Sequence, residues 1–175
     1  MSEWTARRIL KEIADPERRR EILEVFWREG EEQSRHLALA HLAKALRFRE
    51  QTLRQAPAAR KAELLASRIG VPELDEALEQ ALMTYHTSKA RDLMAVLLDR
   101  WSVPHDHGLI EAEEYRVPAE EEIDAAVDVA KGEFPPRDIL LYLATAGLLM
   151  GEGVPRWREA AWPVVDRRLA AGIDS

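Results

Sequence analysis

Apolar residues recur at helical spacing along nearly the whole chain, and the punctuation between the runs is of the kind that starts and stops helices. Ser2 is placed to cap a first helix reaching Ala14, and Asp15-Pro16 is a capping residue followed by a proline suited to the first helical turn. That pair opens a second helix, which Gly30 ends. Residues 32–55 carry Leu37, Ala38, Leu39, Ala40, Leu42, Ala43, Ala45, Leu46 and Phe48, apolar around most of the cylinder, and so predict a central helix packed on several sides. Pro57 restarts the chain, with Leu64, Leu65 and Ile69 leading to a stop at Gly70.

Val71-Pro72 opens a helix in which Leu74, Leu78, Ala81, Leu82 and Tyr85 follow three- and four-residue spacing, and the chain breaks or runs on around residues 86–88. Leu93, Leu97 and Trp101 form the next stripe, widened by Met94 and Leu98. Residues 102–117 show no clear period and predict an irregular loop, within which residues 109–117 have room for one short strand. Beyond Pro118, the acidic start at Glu120 to Glu122 matches the positive end of a helix dipole. Pro135-Pro136 precede an apolar helix over 137–150, which Gly151 and Gly153 close. Val154-Pro155 then opens a last helix that Pro163 is expected to kink or divide.

The expectation is an all-α fold, a single domain over 1–175 forming an irregular bundle of about eight helices, its core carried by segments 36–53, 74–101 and 137–150. Gly70-Val71-Pro72 with Glu76-Ala77 has the same spacing as Gly153-Val154-Pro155 with Glu159-Ala160, which keeps α-solenoid-like helix pairs as the lesser alternative.

Composition narrows the chemistry by exclusion. The 175 residues contain no cysteine, so a disulfide framework, a thiolate metal site and a cysteine nucleophile are all ruled out. No glycine-rich phosphate loop and no Gly-x-Ser-x-Gly elbow occurs. The basic N-terminal stretch has no apolar run of export-signal length, and the longest apolar segment, 139–150, is too short to span a bilayer; a cytoplasmic address and no membrane partner are expected.

Charge is unevenly distributed. Residues 1–70 carry 15 basic and 11 acidic side chains, and residues 71–175 carry 10 and 21, for a net −7 overall. The acidic total argues against nucleic acid in general. Residues 63–72 have the spacing of a helix-turn-helix corner, but the helix that would read DNA offers Glu73, Asp75, Glu76 and Glu79, which phosphates repel, so sequence-specific DNA binding is not expected. Arg47, Arg54 and Lys61 recur every seven residues and, with Arg60, form a candidate surface for an anion or an acidic partner.

The densest group of potential ligands is His105, His107 and Glu111. In an extended segment residues two apart project to one side, so this trio is a candidate site for zinc, iron or manganese, and a metal-dependent enzyme is the competing functional reading. The bland reading is a polar loop. Large aromatics most often pack in cores, and an exposed one among the five tryptophans would instead mark an interface. The leading expectation is a non-catalytic helical protein that binds a protein partner or a second copy of itself, with no cofactor.

Overall fold

A computed structural model describes residues 3–150 and 156–173. The expected cap at Ser2, the Gly151 and Gly153 stop, the Val154-Pro155 start and the Gly153-Val154-Pro155 part of the short repeat lie outside them. Among the described residues the secondary structure is helical. The only β-type pairing among the described residues is an isolated bridge between Asp106 and Leu109, so no strand forms over 109–117.

Among the described residues ten α-helices and one 3₁₀ turn are found where about eight helices were expected: α1 (Ala6–Glu12), α2 (Pro16–Glu29), α3 (Glu32–Leu46), α4 (Glu50–Gln55), α5 (Ala58–Ala66), the 3₁₀ turn Pro72–Leu74, α6 (Asp75–Lys89), α7 (Arg91–Arg100), α8 (Glu120–Ala130), α9 (Pro136–Leu149) and α10 (Arg156–Ala171). The surplus comes from two breaks. The run 32–55 stops at Arg47, which takes the left-handed conformation (φ 55°), and α6 gives way to α7 at Ala90. Pro163, by contrast, does not divide its helix: α10 continues through it.

The chain falls into two compact units, residues 6–85 and residues 1–5 with 86–175. In the first, α5 packs on α2 and α3, and α4 packs on α3. Asp15 caps α2 by accepting from the Arg18 backbone N–H at 2.8 Å, as the Asp-Pro signal requires. Arg19 reaches back to the end of α1, where its guanidinium donates to the carbonyls of Leu10 (2.7 Å), Lys11 (3.3 Å) and Ala14 (3.2 Å). These are carbonyls that a helix end leaves without an intrahelical donor. The run 36–53 is not the all-round core segment its composition implies. It buries only Ala38, Leu39, Leu42, Ala43 and Leu53, whereas Leu37 is 52% and Phe48 46% exposed. Alanine accounts for the misreading, because it counts as apolar on any face yet buries little surface.

In the second unit α10 packs on α9 and α8, and α7 and α9 each pack on α8. Helix α9 is buried continuously from Ile139 to Gly147. Its carbonyls at Gly147 and Leu148 accept from Arg158 at 3.1 and 3.5 Å, the same arginine cap seen on α1. All five tryptophans are buried, so none marks an exposed interface. Trp101 and Trp157 meet edge to face at 5.7 Å, and Trp157 donates its indole N–H to the Tyr115 hydroxyl at 2.9 Å. Among the described residues no helix is long and apolar enough to cross a membrane.

A charge lattice joins α10 to α8. Arg168 donates to Asp124 at 2.7 Å and Asp128 at 2.8 Å, and Arg167 donates to Glu120 at 2.7 Å. The Arg168 hydrogen bond, opposed by partial desolvation, holds the Asp128 carboxyl down to about 2 from an ordinary 3.8. A carboxyl whose pKa is depressed by folding stabilises the fold above its unfolded pKa and loses that contribution as pH falls through the folded value. Thermal stability is therefore expected to decline between about pH 4 and pH 2. Asp128→Asn should flatten that decline, measured as melting temperature against pH for both proteins; parallel curves would show that the pair is too solvated to matter.

Candidate functional site

The histidine loop is a braced turn. His105 interacts through Nε2 with Asp99 Oδ1 at 3.0 Å, and its Nδ1 accepts the backbone N–H of Gly108 at 3.0 Å. Because an N–H donates to Nδ1, the neutral ring carries its proton on Nε2 and donates it to Asp99. Both ring nitrogens are thus engaged within the loop. His107 sits in the left-handed region (φ 44°) with an exposed ring whose Nε2 is 3.5 Å from Asp92, and its carbonyl accepts from Arg91 Nε at 2.9 Å.

Gly108 adopts φ 88°, and a Cβ there would come within 2.7 Å of the Arg91 carbonyl, so the turn lies against the start of α7 at a point only glycine fits. Glu111 is exposed farther along. His105, His107 and Glu111 are therefore not brought together as a ligand set, and among the described residues no group of three or more His, Asp or Glu side chains is placed to hold a metal ion. The His105 ring is held by local hydrogen bonds instead, and His107 and Glu111 are exposed.

The basic residues are sorted differently. Arg47 ends α3 and is exposed, and Arg60 pairs with Glu63 at 3.0 Å on the exposed side of α5. Arg54 and Lys61 come together, although not for the reason their spacing suggests: no continuous helix aligns them. They stand on α4 and α5, which both fold back against α3, and they line one concavity of about 230 Å³ with Trp27 of α2 and Glu32, Arg35, His36 and Leu39 of α3.

Each wall of this concavity has a local cause. Gly30 ends α2, and a side chain there would meet the Phe26 carbonyl at 2.5 Å, so the chain turns tightly and places the first turns of α3 beside the last turn of α2. Arg35 then caps α2, donating through Nη1 to the Trp27 carbonyl at 3.2 Å. Lys61 Nζ lies over the Trp27 ring, 5.2 Å from its centroid, a cation–π contact. Burial pushes the Lys61 ammonium below its ordinary 10.5, and the charge of Arg35 pushes it further in the same direction. Arg54 is partly neutralised by Glu50 at 3.0 Å, which also lies 3.7 Å from His36.

Two donors in these walls are unmet. Trp27 is only 5% exposed and its Nε1 N–H has no hydrogen-bond partner, nor has the buried Nε of Arg35. Trp27 and Arg35 are the members of the site that a reading of the sequence misses. Their signal would have been the glycine at 30, where α2 ends two residues before α3 begins. Comparison with protein-family models, curated proteins and solved structures finds no match to the chain.

Proposed function

We propose that the chain is a non-catalytic cytoplasmic interaction protein that uses the basic concavity among α2, α3, α4 and α5 to recognise an acidic stretch of a protein partner, a second copy of itself included. One observation carries this reading: Arg35 and Lys61 bring like charge together with no carboxylate paired to either, although Arg35 also caps α2, whereas Arg54, Arg60, Arg167 and Arg168 each meet an acid. Like charges held together without a counter-ion cost stability, and such a cost is commonly retained where a ligand relieves it. The acidic surplus of residues 71–175, with Glu111, Glu113 and Glu114 exposed, makes self-association one form of the same recognition.

The test is fluorescence anisotropy with a labelled polyglutamate peptide. Binding is expected at low salt, weakening steeply toward about 0.5 M, where charges are screened beyond a few ångströms. Arg54→Glu and Lys61→Glu should each weaken it roughly tenfold or more, since each replaces attraction by repulsion at the contact. Absence of binding at low salt, or equal binding by these variants, would overturn the reading.

A further inference from the structure

We infer that the concavity lined by Trp27, Arg35, Arg54 and Lys61 is a site for a single dianionic oxyanion of the phosphate-monoester class. This deepens the interaction reading by naming the group that the basic surface receives.

The charge count comes first. Three cations line the concavity against one carboxylate, Glu32; Glu50, outside the lining, pairs with Arg54, so the standing surplus is one and becomes the two that match a dianion when Arg54 leaves Glu50. A carboxylate would leave part of that surplus uncovered. Shape points the same way. The cations arrive from three different helices, Arg35 from α3, Arg54 from α4 and Lys61 from α5, with the Trp27 indole below Lys61 on a fourth. A tetrahedral oxyanion accepts hydrogen bonds in all directions, while a planar carboxylate accepts them mainly in its own plane. A space of about 230 Å³ also exceeds what one carboxylate would fill.

Two lining residues, Trp27 and Arg35, also each carry a buried N–H without an acceptor, which is uncommon in folded proteins. Both nitrogens are closed to solvent, so they mark an unsatisfied wall and not a ligand contact. Arg35 is already positioned: its Nη1 is fixed on the Trp27 carbonyl, which holds the guanidinium plane and leaves its other terminal N–H groups for a ligand. Lys61 is the adaptable member, since its ammonium makes no ion pair and rests on an aromatic face from which a flexible stem lets it swing to an anion. Arg54 would exchange Glu50 for the incoming oxyanion or share itself between them.

The experiment is calorimetric titration of the full chain with inorganic phosphate near pH 8, where the dianion dominates, against acetate at matched ionic strength. Saturable binding of one phosphate per chain is expected, with acetate at least tenfold weaker, on the order of one charge-assisted contact. Lys61→Gln should weaken phosphate roughly tenfold, and Arg60→Gln, outside the concavity, should leave it unchanged. Because Arg35 also caps α2, Lys61→Gln is the diagnostic variant, and its helical circular dichroism should match the parent.

Phosphate bound no better than acetate, or weakened equally by Lys61→Gln and Arg60→Gln, would overturn the site. Polyglutamate binding that persists without phosphate preference would overturn it while leaving the interaction reading intact, and phosphate binding without polyglutamate binding would do the reverse. A phosphoserine peptide that binds more tightly than inorganic phosphate would place the group on a protein partner. Equal affinity would mean that a free phosphate compound satisfies the same site.

Discussion

Gly147→Ala is expected to destabilise the protein by about 2–4 kcal/mol, although helix propensity alone predicts the opposite sign. Exchanging glycine for alanine inside a helix gains roughly 1 kcal/mol in an exposed setting. At this position the added methyl would lie on the Trp162 indole, 2.6 Å from Cδ1 and closer still to Nε1. Such distances cannot be kept, and overpacking a closed core costs about 1–3 kcal/mol.

The indole is poorly placed to retreat. It is 3% exposed, donates its N–H to the Ala144 carbonyl at 3.2 Å and carries the Arg158 guanidinium 5.2 Å from its centroid. Moving it would leave a buried donor unpaired, a further cost of about 1–3 kcal/mol. Gly132 is the control, because a methyl there meets only the Val129 carbonyl at 3.5 Å. Urea denaturation should show Gly132→Ala near neutral and Gly147→Ala with a clearly lower midpoint. A raised midpoint for Gly147→Ala would mean that α9 and α10 separate without penalty.

The second large effect is expected at Trp157. This side chain is fully buried, meets Trp101 edge to face and donates to the Tyr115 hydroxyl. Trp157→Ala should cost about 3–5 kcal/mol, the range for deleting a large buried aromatic. Tyr115→Phe separates the polar part of that cost, removing only the acceptor and leaving the indole N–H unsatisfied, for about 1–3 kcal/mol. If Trp157→Ala costs less than Tyr115→Phe, the tryptophan pair is not the anchor of its unit.

Helix starts were readable wherever a side chain makes the start by itself. Asp15 does so through its bond to the Arg18 amide, and Glu122 does so by accepting the Ala119 N–H at 2.8 Å. The apolar segment 137–150 was readable for a different reason: it is buried all round from Ile139 to Gly147, so no face had to be chosen. The break at Arg47 was not readable. A left-handed helix end normally advertises itself with glycine, and here an arginine adopts it, with the Phe48 amide donating to the Ala43 carbonyl at 2.9 Å.

The candidate site divides along the same line. Arg54 and Lys61 stood out because cations repeat in the sequence, but no continuous helix aligns them: the chain leaves the helix at Arg47, again at Ala56, and restarts after Pro57 as expected. What unites them is tertiary, as are the contributions of Trp27 and Arg35. The histidine loop failed in the opposite way. Donor spacing was real, yet the Gly108 amide and the Asp99 carboxylate, both within six residues of His105, claim its ring before a metal can.

Trp4 donates its indole N–H to Asp166 at 3.1 Å, across 162 positions of sequence, and is itself 1% exposed. During synthesis the acceptor for this indole is among the last parts of the described chain to be made, so Trp4 must remain uncovered while residues 6–85, whose contacts are nearer in sequence, have already been produced. Long-range closure of this kind is slow relative to local helix pairing. The unit closed by Trp4 and Asp166 therefore cannot be completed until translation reaches α10, by which time residues 6–85 have all been made.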